Sequence, residues 1–230
     1  MKRLLPFIII LAVLGIALAG GLYLTRPVPS SSTVGQPSAA AASQASQAQP
    51  ARQGVAGAEP AHVKGPAKAT AHIEEFGDFQ CPPCGLFHSI LKQMETEFGD
   101  ELRVTFRHFP LPNHSHAVVA ASAAEAAGMQ NKFWQMHAMI YEHQLDWKDL
   151  PDARPTFESY AKEIGLDMER FKRDLISDAV AQRIAQDTRR AHSLGVNATP
   201  TVFLNGRELP FNSLPADSLR VLIQQEINKK

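Results

Sequence analysis

Only two cysteines occur among the 230 residues, and they stand three positions apart in "EEFGDFQCPPCGLFH", Glu74 to His88. The pair lies where strand character gives way to helix character. "TAHIEEF", Thr70 to Phe76, reads as a short strand ending at Gly77-Asp78. A helix is expected from the cysteines to about Phe98, with Phe87, Ile90, Leu91, Met94 and Phe98 on one face and Gly99 stopping it. "ELRVTFRHF", Glu101 to Phe109, then alternates Leu102, Val104 and Phe106 with Arg103, Thr105 and Arg107, which is strand patterning. Strand, helix, strand makes a βαβ unit, and its crossover should be right-handed.

Between Phe109 and Pro200 the chain changes to helical patterning. Helices are expected over Ser115–Gly128, Lys132–Gln144 and Thr156–Ile164, the last with Pro155 near its start. Asp167 is placed to cap a fourth, and a longer one runs from Asp178 to Leu194. Strand character returns in "TVFL", Thr201 to Leu204. With the Asn205-Gly206 turn and Arg207 to Leu209 it forms a hairpin. Ser213 or Asp217 opens a terminal helix carrying Leu219, Leu222, Ile223 and Ile227 inward.

The first part of the chain reads differently. Residues 1–26 carry Lys2, Arg3 and an uncharged run from Leu4 to Leu24, just long enough to cross a bilayer core of roughly 30 Å as a helix. The preferred reading is an uncleaved membrane anchor. The competing one is a signal sequence cut after Ala19, since Ala17-Leu18-Ala19 is an A-x-A-like site. Either one leaves Lys2 and Arg3 in the cytoplasm and exports everything after Arg26. Residues 27–62, rich in Pro, Ala, Ser and Gln, hold too little apolar surface to offset ordering entropy and are expected to be a disordered linker. Residues 63–230 are long enough for one domain with its own core.

Lys and Arg number 23, as do Asp and Glu, with no basic stripe, so nucleic acid is not an expected partner. In an exported chain, two cysteines alone also rule out a disulfide framework as what holds the fold.

The cysteine pair must therefore be read as local chemistry. A thiol at a helix start faces unpaired N–H groups and the positive end of the helix dipole, which favours its thiolate. Cys81 holds that place. Cys84, one turn further in, is within reach to resolve a mixed disulfide formed at Cys81. Zinc would need two further ligands; His88 follows Cys84 by four, but no second CxxC or paired His spacing accompanies it, and no metal is expected. A c-type haem needs His directly after the second cysteine, where Gly85 stands. A structural disulfide closing so short a loop would stabilise little. Redox chemistry is the remaining use. His108, His114 and His116 in "RHFPLPNHSHA" read as loop and helix-start residues.

"EFGDFQCPPC" with the downstream "GVNATPTVFLNG" resembles the DsbA-type thiol-disulfide oxidoreductases of the thioredoxin superfamily, especially their membrane-anchored relatives. The resemblance runs from about Val63 to the C-terminus. It implies an α/β, thioredoxin-like fold with a helical insertion, here about 113–195, between the βαβ unit and a cis-proline hairpin. It also implies that Pro200 is cis, and that with Thr199 it presents backbone groups to a substrate peptide beside the CxxC. Glu75 matches a buried acid that influences proton transfer, and its face, shared with Ile73, makes burial plausible and a raised pKa the consequence; the alternative is a strand-end Glu in a salt bridge or in water.

Strongly oxidising relatives often carry His where this chain has Pro83. With Pro82 and Pro83 both lacking N–H donors, the thiolate is expected to lean on the N–H groups of Cys84 and Gly85 and on the dipole. The Cys81 pKa should then fall below that of a free thiol but stay above the value of about 3.5 found in the strongest oxidant.

The function expected is an extracytoplasmic oxidoreductase on the periplasmic side, anchored to the inner or plasma membrane by its N-terminal helix. Its redox centre is the Cys81–Cys84 disulfide, with no other cofactor. Its partners are cysteine-containing exported proteins and a membrane redox partner, and a monomer is expected. Two alternatives stand beside a disulfide donor: a reductase or isomerase kept reduced by a membrane electron donor, which Thr199 mildly favours, and a tethered peptide-binding or chaperone-like module with incidental cysteines.

Overall fold

The computed structural model of the protein describes residues 54–229. The expected anchor or signal over residues 1–26, and the linker up to residue 53, lie outside the described residues. Among the described residues no helix is long and apolar enough to cross a membrane.

Five strands form one sheet: β1 (His62–Lys64), β2 (Ala71–Gly77), β3 (Leu102–His108), β4 (Thr201–Leu204) and β5 (Arg207–Glu208), in the order β1-β3-β2-β4-β5. Burial at nearly every position of β2 and β3, the polar ones included, marks them as central strands covered on both faces. They pair in parallel, as a βαβ unit must, through helix α1 (Pro82–Phe98). Strand β4 runs antiparallel to β2, with Glu75 opposite Val202 and Phe76 opposite Thr201. Asn205 and Gly206, both at positive φ, make the two-residue turn into β5.

Six helices lie between β3 and β4: α2 (Ala117–Gly128), α3 (Phe133–Glu142), α4 (Gln144–Trp147), α5 (Arg154–Glu163), α6 (Met168–Leu175) and α7 (Asp178–Ser193). The terminal helix is α8 (Ala216–Ile227). On one face of the sheet Ile73, Val104, Val202 and Leu204 pack with Phe87, Leu91 and Met94 of α1 and with Leu219 and Ile223 of α8. Ala191, Leu194 and Val196 cover Phe76 and Phe203. The helical block has its own core, centred on Trp147, Phe157, Phe171 and the close-packed alanines of α2. The fold is thioredoxin-like with a helical insertion, as expected.

The structure departs from the sequence reading in three places. The helix expected over Lys132–Gln144 breaks at His143, whose φ of −106° and ψ of 21° leave the helical range. Gln144 is thereby freed to turn its side chain toward the cysteine loop. The terminal helix opens at Ala216, beside the expected Asp217 and not at Ser213, which is held in a 3-10 turn by its own hydroxyl bond to the Pro210 carbonyl. Finally, Gly54 to Ala61, assigned by composition to the linker, lie against α7. Val55 N–H donates to Ser193 Oγ at 3.0 Å and Ala58 N–H to Asp187 Oδ1 at 2.8 Å. Strand β1 then begins at His62, too short to leave a periodic trace in the sequence.

Candidate active site

Cys81 is the N-cap of α1, with φ −71° and ψ 118°, and the two prolines fill the first helical turn. Proline suits that turn because its missing N–H would have no helical partner there. Cys81 is only 5 % exposed and Cys84 fully buried, and both are free thiols. The Thr199–Pro200 peptide bond is cis. It brings the Thr199 carbonyl oxygen to 3.4 Å from Cys81 Sγ. The structure thus places Cys81, Cys84, Thr199 and Pro200 together although Thr199 stands 115 positions after the second cysteine in the chain.

The Cys81 pKa is lowered to about 6, chiefly because the Cys84 thiol donates a hydrogen bond to the thiolate. Burial opposes the shift, and the Cys84 N–H adds to it. Burial pushes the Cys84 thiol well up, and donation to Cys81 raises it further. The two sulfurs are therefore unlike: the outer one is favoured as a thiolate and the inner one is held as a thiol. The expectation of an intermediate Cys81 pKa matches, and the expected Cys84 N–H is among the groups that lower it, but neither expected N–H is the leading donor. Cys84 and Gly85 N–H both bond the Cys81 carbonyl, at 3.0 and 3.3 Å, and the leading stabiliser is the neighbouring thiol.

Glu75, on β2, is 1 % exposed, and its Oε1 has no hydrogen-bond partner. Its pKa is raised to about 8, by burial first and then by the Cys81 and Glu95 charges. It lines a small cavity of about 10 Å³ together with His88, His137, Lys64 and Glu95. His88 and His137 escaped the sequence reading as site residues, because their convergence depends on how α1 docks on α3.

The loop carrying the cysteines is held by buried side chains. Asp78 accepts from Gln80 N–H, Leu111 N–H and His114 Nδ1 at 2.8, 2.8 and 2.7 Å. Gln144 Nε2 donates to the Phe79 and Cys81 carbonyls at 2.6 and 2.9 Å. His114 and His116 are loop and helix-start residues, as read. His108 is instead fully buried at the end of β3, with Nε2 3.0 Å from Glu125 Oε1.

His62, His108 and Glu125 bring three metal-ligand atoms within 4.8 Å of one another. Arg183 closes that group: its Nε donates to Glu125 Oε2 at 2.7 Å and its Nη2 lies 3.2 Å from His62 Nε2. The guanidinium supplies the positive charge a metal would bring. Burial alone would raise the Glu125 carboxyl, but its hydrogen bonds to His108 and His62 outweigh that and hold it well below the usual carboxylate range.

Comparison with known proteins agrees with this geometry. A family model described as Thioredoxin matches residues 58–225. The crystal structure of oxidised BdbD from Bacillus subtilis superposes with a TM-score of 0.66 at 24 % identity, covering 77 % of this chain and 100 % of that one. A thioredoxin-like oxidoreductase from Silicibacter pomeroyi DSS-3 gives a TM-score of 0.57 at 26 % identity, covering 72 % and 94 %. Alpha-DsbA1 of Wolbachia pipientis gives 0.63 at 20 %, covering 74 % and 92 %. Among curated proteins, the chain is 41 % identical over 148 residues to Na(+)/H(+) antiporter NhaA 1 of Salinispora arenicola, covering 64 % of this chain and 22 % of that protein. The chain spans about a fifth of the length of the curated relatives it matches.

Proposed function

The chain belongs to the thioredoxin family, and from that premise we propose that it is a protein dithiol-disulfide oxidoreductase that donates the Cys81–Cys84 disulfide to exported proteins. The observation that carries this reading is the asymmetry of the pair: Cys81 caps α1 beside the Thr199 carbonyl and cis-Pro200, while Cys84 is fully buried one turn behind it, as is Glu75 on β2.

The chemistry follows from that asymmetry. A substrate thiolate attacks Cys81 Sγ, the Cys81–Cys84 bond breaks, and Cys84 leaves as a thiolate that takes the Glu75 proton. The second substrate thiolate then attacks the substrate sulfur of the mixed disulfide. The substrate disulfide forms and Cys81 leaves as a thiolate, the form its surroundings favour. Two electrons pass from the substrate dithiol to the protein. Thr199, with its carbonyl facing Cys81 and its Oγ1 buried without a partner, offers backbone and side-chain groups to the substrate segment. A thiolate of intermediate stability gives a disulfide of intermediate oxidising power.

The working place is the extracytoplasmic side of a membrane, with a membrane redox partner reoxidising the pair. The uncharged run from Leu4 to Leu24 supports it. So does the appearance of a matching segment inside much longer proteins named as antiporters. Alkylation of thiols in intact cells tests the direction: a pair held mostly as disulfide is expected, and a pair held mostly as dithiol would assign the reductase or isomerase role. A Cys81→Ala, Cys84→Ala double variant should lose activity in cells; full activity would assign the protein to peptide binding instead.

A further inference from the structure

Glu75 is sealed from solvent, yet each turnover in the reading above takes a proton from it or returns one. A route must connect it to water. The cavity that Glu75 lines, about 10 Å³, has room for about one water molecule. Its wall includes His88 and His137, and His88 Nε2 and both ring nitrogens of His137 are buried without a hydrogen-bond partner. Unpartnered buried polar atoms are rare in folded proteins, and so many around one small cavity point to a function there. A second cavity, of about 490 Å³, opens on the surface beside Glu142 and Lys92, and His88 lines that one too. His88 Nε2 lies 3.7 Å from Glu142 Oε1, whose side chain is 42 % exposed.

We propose that His88 is the proton relay between Glu75 and solvent, receiving at the inner cavity and releasing toward Glu142. The proposal rests on the oxidoreductase reading and extends it. When Cys84 resolves a mixed disulfide, Glu75 first releases its own proton to the His88 ring, and the resulting carboxylate takes the Cys84 thiol proton. The Cys84 thiolate forms the bond to Cys81 Sγ, and the partner leaves as a thiolate. With His137 forming the inner wall, the imidazolium gives that proton up at the outer cavity, and Glu75 is left protonated, ready to supply a proton in the reverse direction. Donation of the disulfide runs the same transfers backwards. Burial lowers the pKa of His88, with Lys64 and Lys92 acting in the same sense and Glu142 opposing. His137 faces His88, Lys64, His108 and His62 and is held well below the ordinary value, chiefly by burial. Tyr141 stacks on His88 with ring centroids 5.3 Å apart. A ring neutral at rest has a lone pair free to accept, and its lowered pKa makes the imidazolium short-lived and quick to pass the proton on.

Reaction of the reduced protein with 5,5′-dithiobis(2-nitrobenzoate) separates the steps. The first coloured thiol is released by Cys81 attack, the second by Cys84 resolving the mixed disulfide. His88→Gln should leave the first phase within twofold and slow the second by roughly a hundredfold, the low end of general acid–base contributions. In His88→Ala, free imidazole should restore the second phase in proportion to its concentration. An unchanged second phase in His88→Gln, or equal slowing of both phases without imidazole rescue in His88→Ala, would overturn the relay. Glu75→Gln keeps the two readings apart. If it slows the second phase while His88→Gln does not, the relay fails and Glu75 keeps its role. If neither does, the role of Glu75 fails as well.

Discussion

At the scale of single residues, the Cys84 thiol sets the acidity of Cys81. Cys84→Ala should therefore raise the Cys81 pKa from about 6 toward that of an ordinary thiol, read by thiolate absorbance against pH. Glu75 makes an opposite kind of prediction. Its folded pKa, about 8, lies above the ordinary 4.5, so between those values the folded reduced protein keeps a proton that the unfolded chain has released. Stability present below pH 4.5 is thus lost as pH rises toward 8. Glu75→Gln does not titrate, and should gain a few kcal/mol over the parent at pH 8 while gaining little at pH 4.5, measured by urea unfolding of the reduced forms. The cysteines and the Thr-Pro pair were legible in the sequence because each motif is contiguous. The leading donor to the thiolate, the Cys84 thiol, was not, since which groups face a sulfur depends on side-chain direction within the first helical turn.

At the scale of elements, the stretch from Gly54 to Ala61 is joined to the body through a buried ion network. Arg107 donates to Glu74 Oε1, Asp187 Oδ1 and the Ala58 carbonyl, at 3.0, 3.1 and 2.7 Å. Arg190 reaches Glu74 Oε2 at 2.7 Å and the Val55 carbonyl at 2.9 Å. Asp187 is 1 % exposed, so Asp187→Ala strands a buried guanidinium and frees the Ala58 and His108 N–H groups. Breaking a buried pair in this way should cost about 3–5 kcal/mol of unfolding free energy, measured by urea denaturation. An effect under about 1 kcal/mol would mean that solvent reaches the network. Helix and strand periods made β2, α1, β3 and the helical block readable. The packed segment was not, because its Gly, Ala and Pro residues look like linker by composition and its order comes from three arginines and an aspartate far along the chain.

At the scale of the whole molecule, the balance of protons depends on burial more than on net charge. His62, His72, His88 and His137 are all held below the ordinary 6.5, each mainly by burial. The unfolded chain gains protons on these groups below pH 6.5 while the folded one does not, so they remove stability as pH falls. The Arg190 and Arg107 hydrogen bonds, outweighing burial, depress the Glu74 pKa, and its contribution is lost on further acidification. In Glu75→Gln, where the opposing titration is absent, the melting temperature should fall steadily from pH 7 to pH 4. The overall architecture was readable because a βαβ unit, a helical block and a proline-led hairpin occur in sequence order, whereas the joining of two cavities by one histidine depends on the docked helices. The central claim, that Cys81 exchanges its sulfur bond with a protein substrate and Cys84 resolves it, is tested by trapping. Oxidised Cys84→Ala, primed as a mixed disulfide with glutathione and mixed with a reduced cysteine-containing protein, should yield a stable disulfide between Cys81 and that substrate on a non-reducing gel. The protein with both cysteines should release the substrate oxidised. Failure of the variant to form the Cys81 adduct, or trapping of the same adduct by Cys81→Ala, would contradict it.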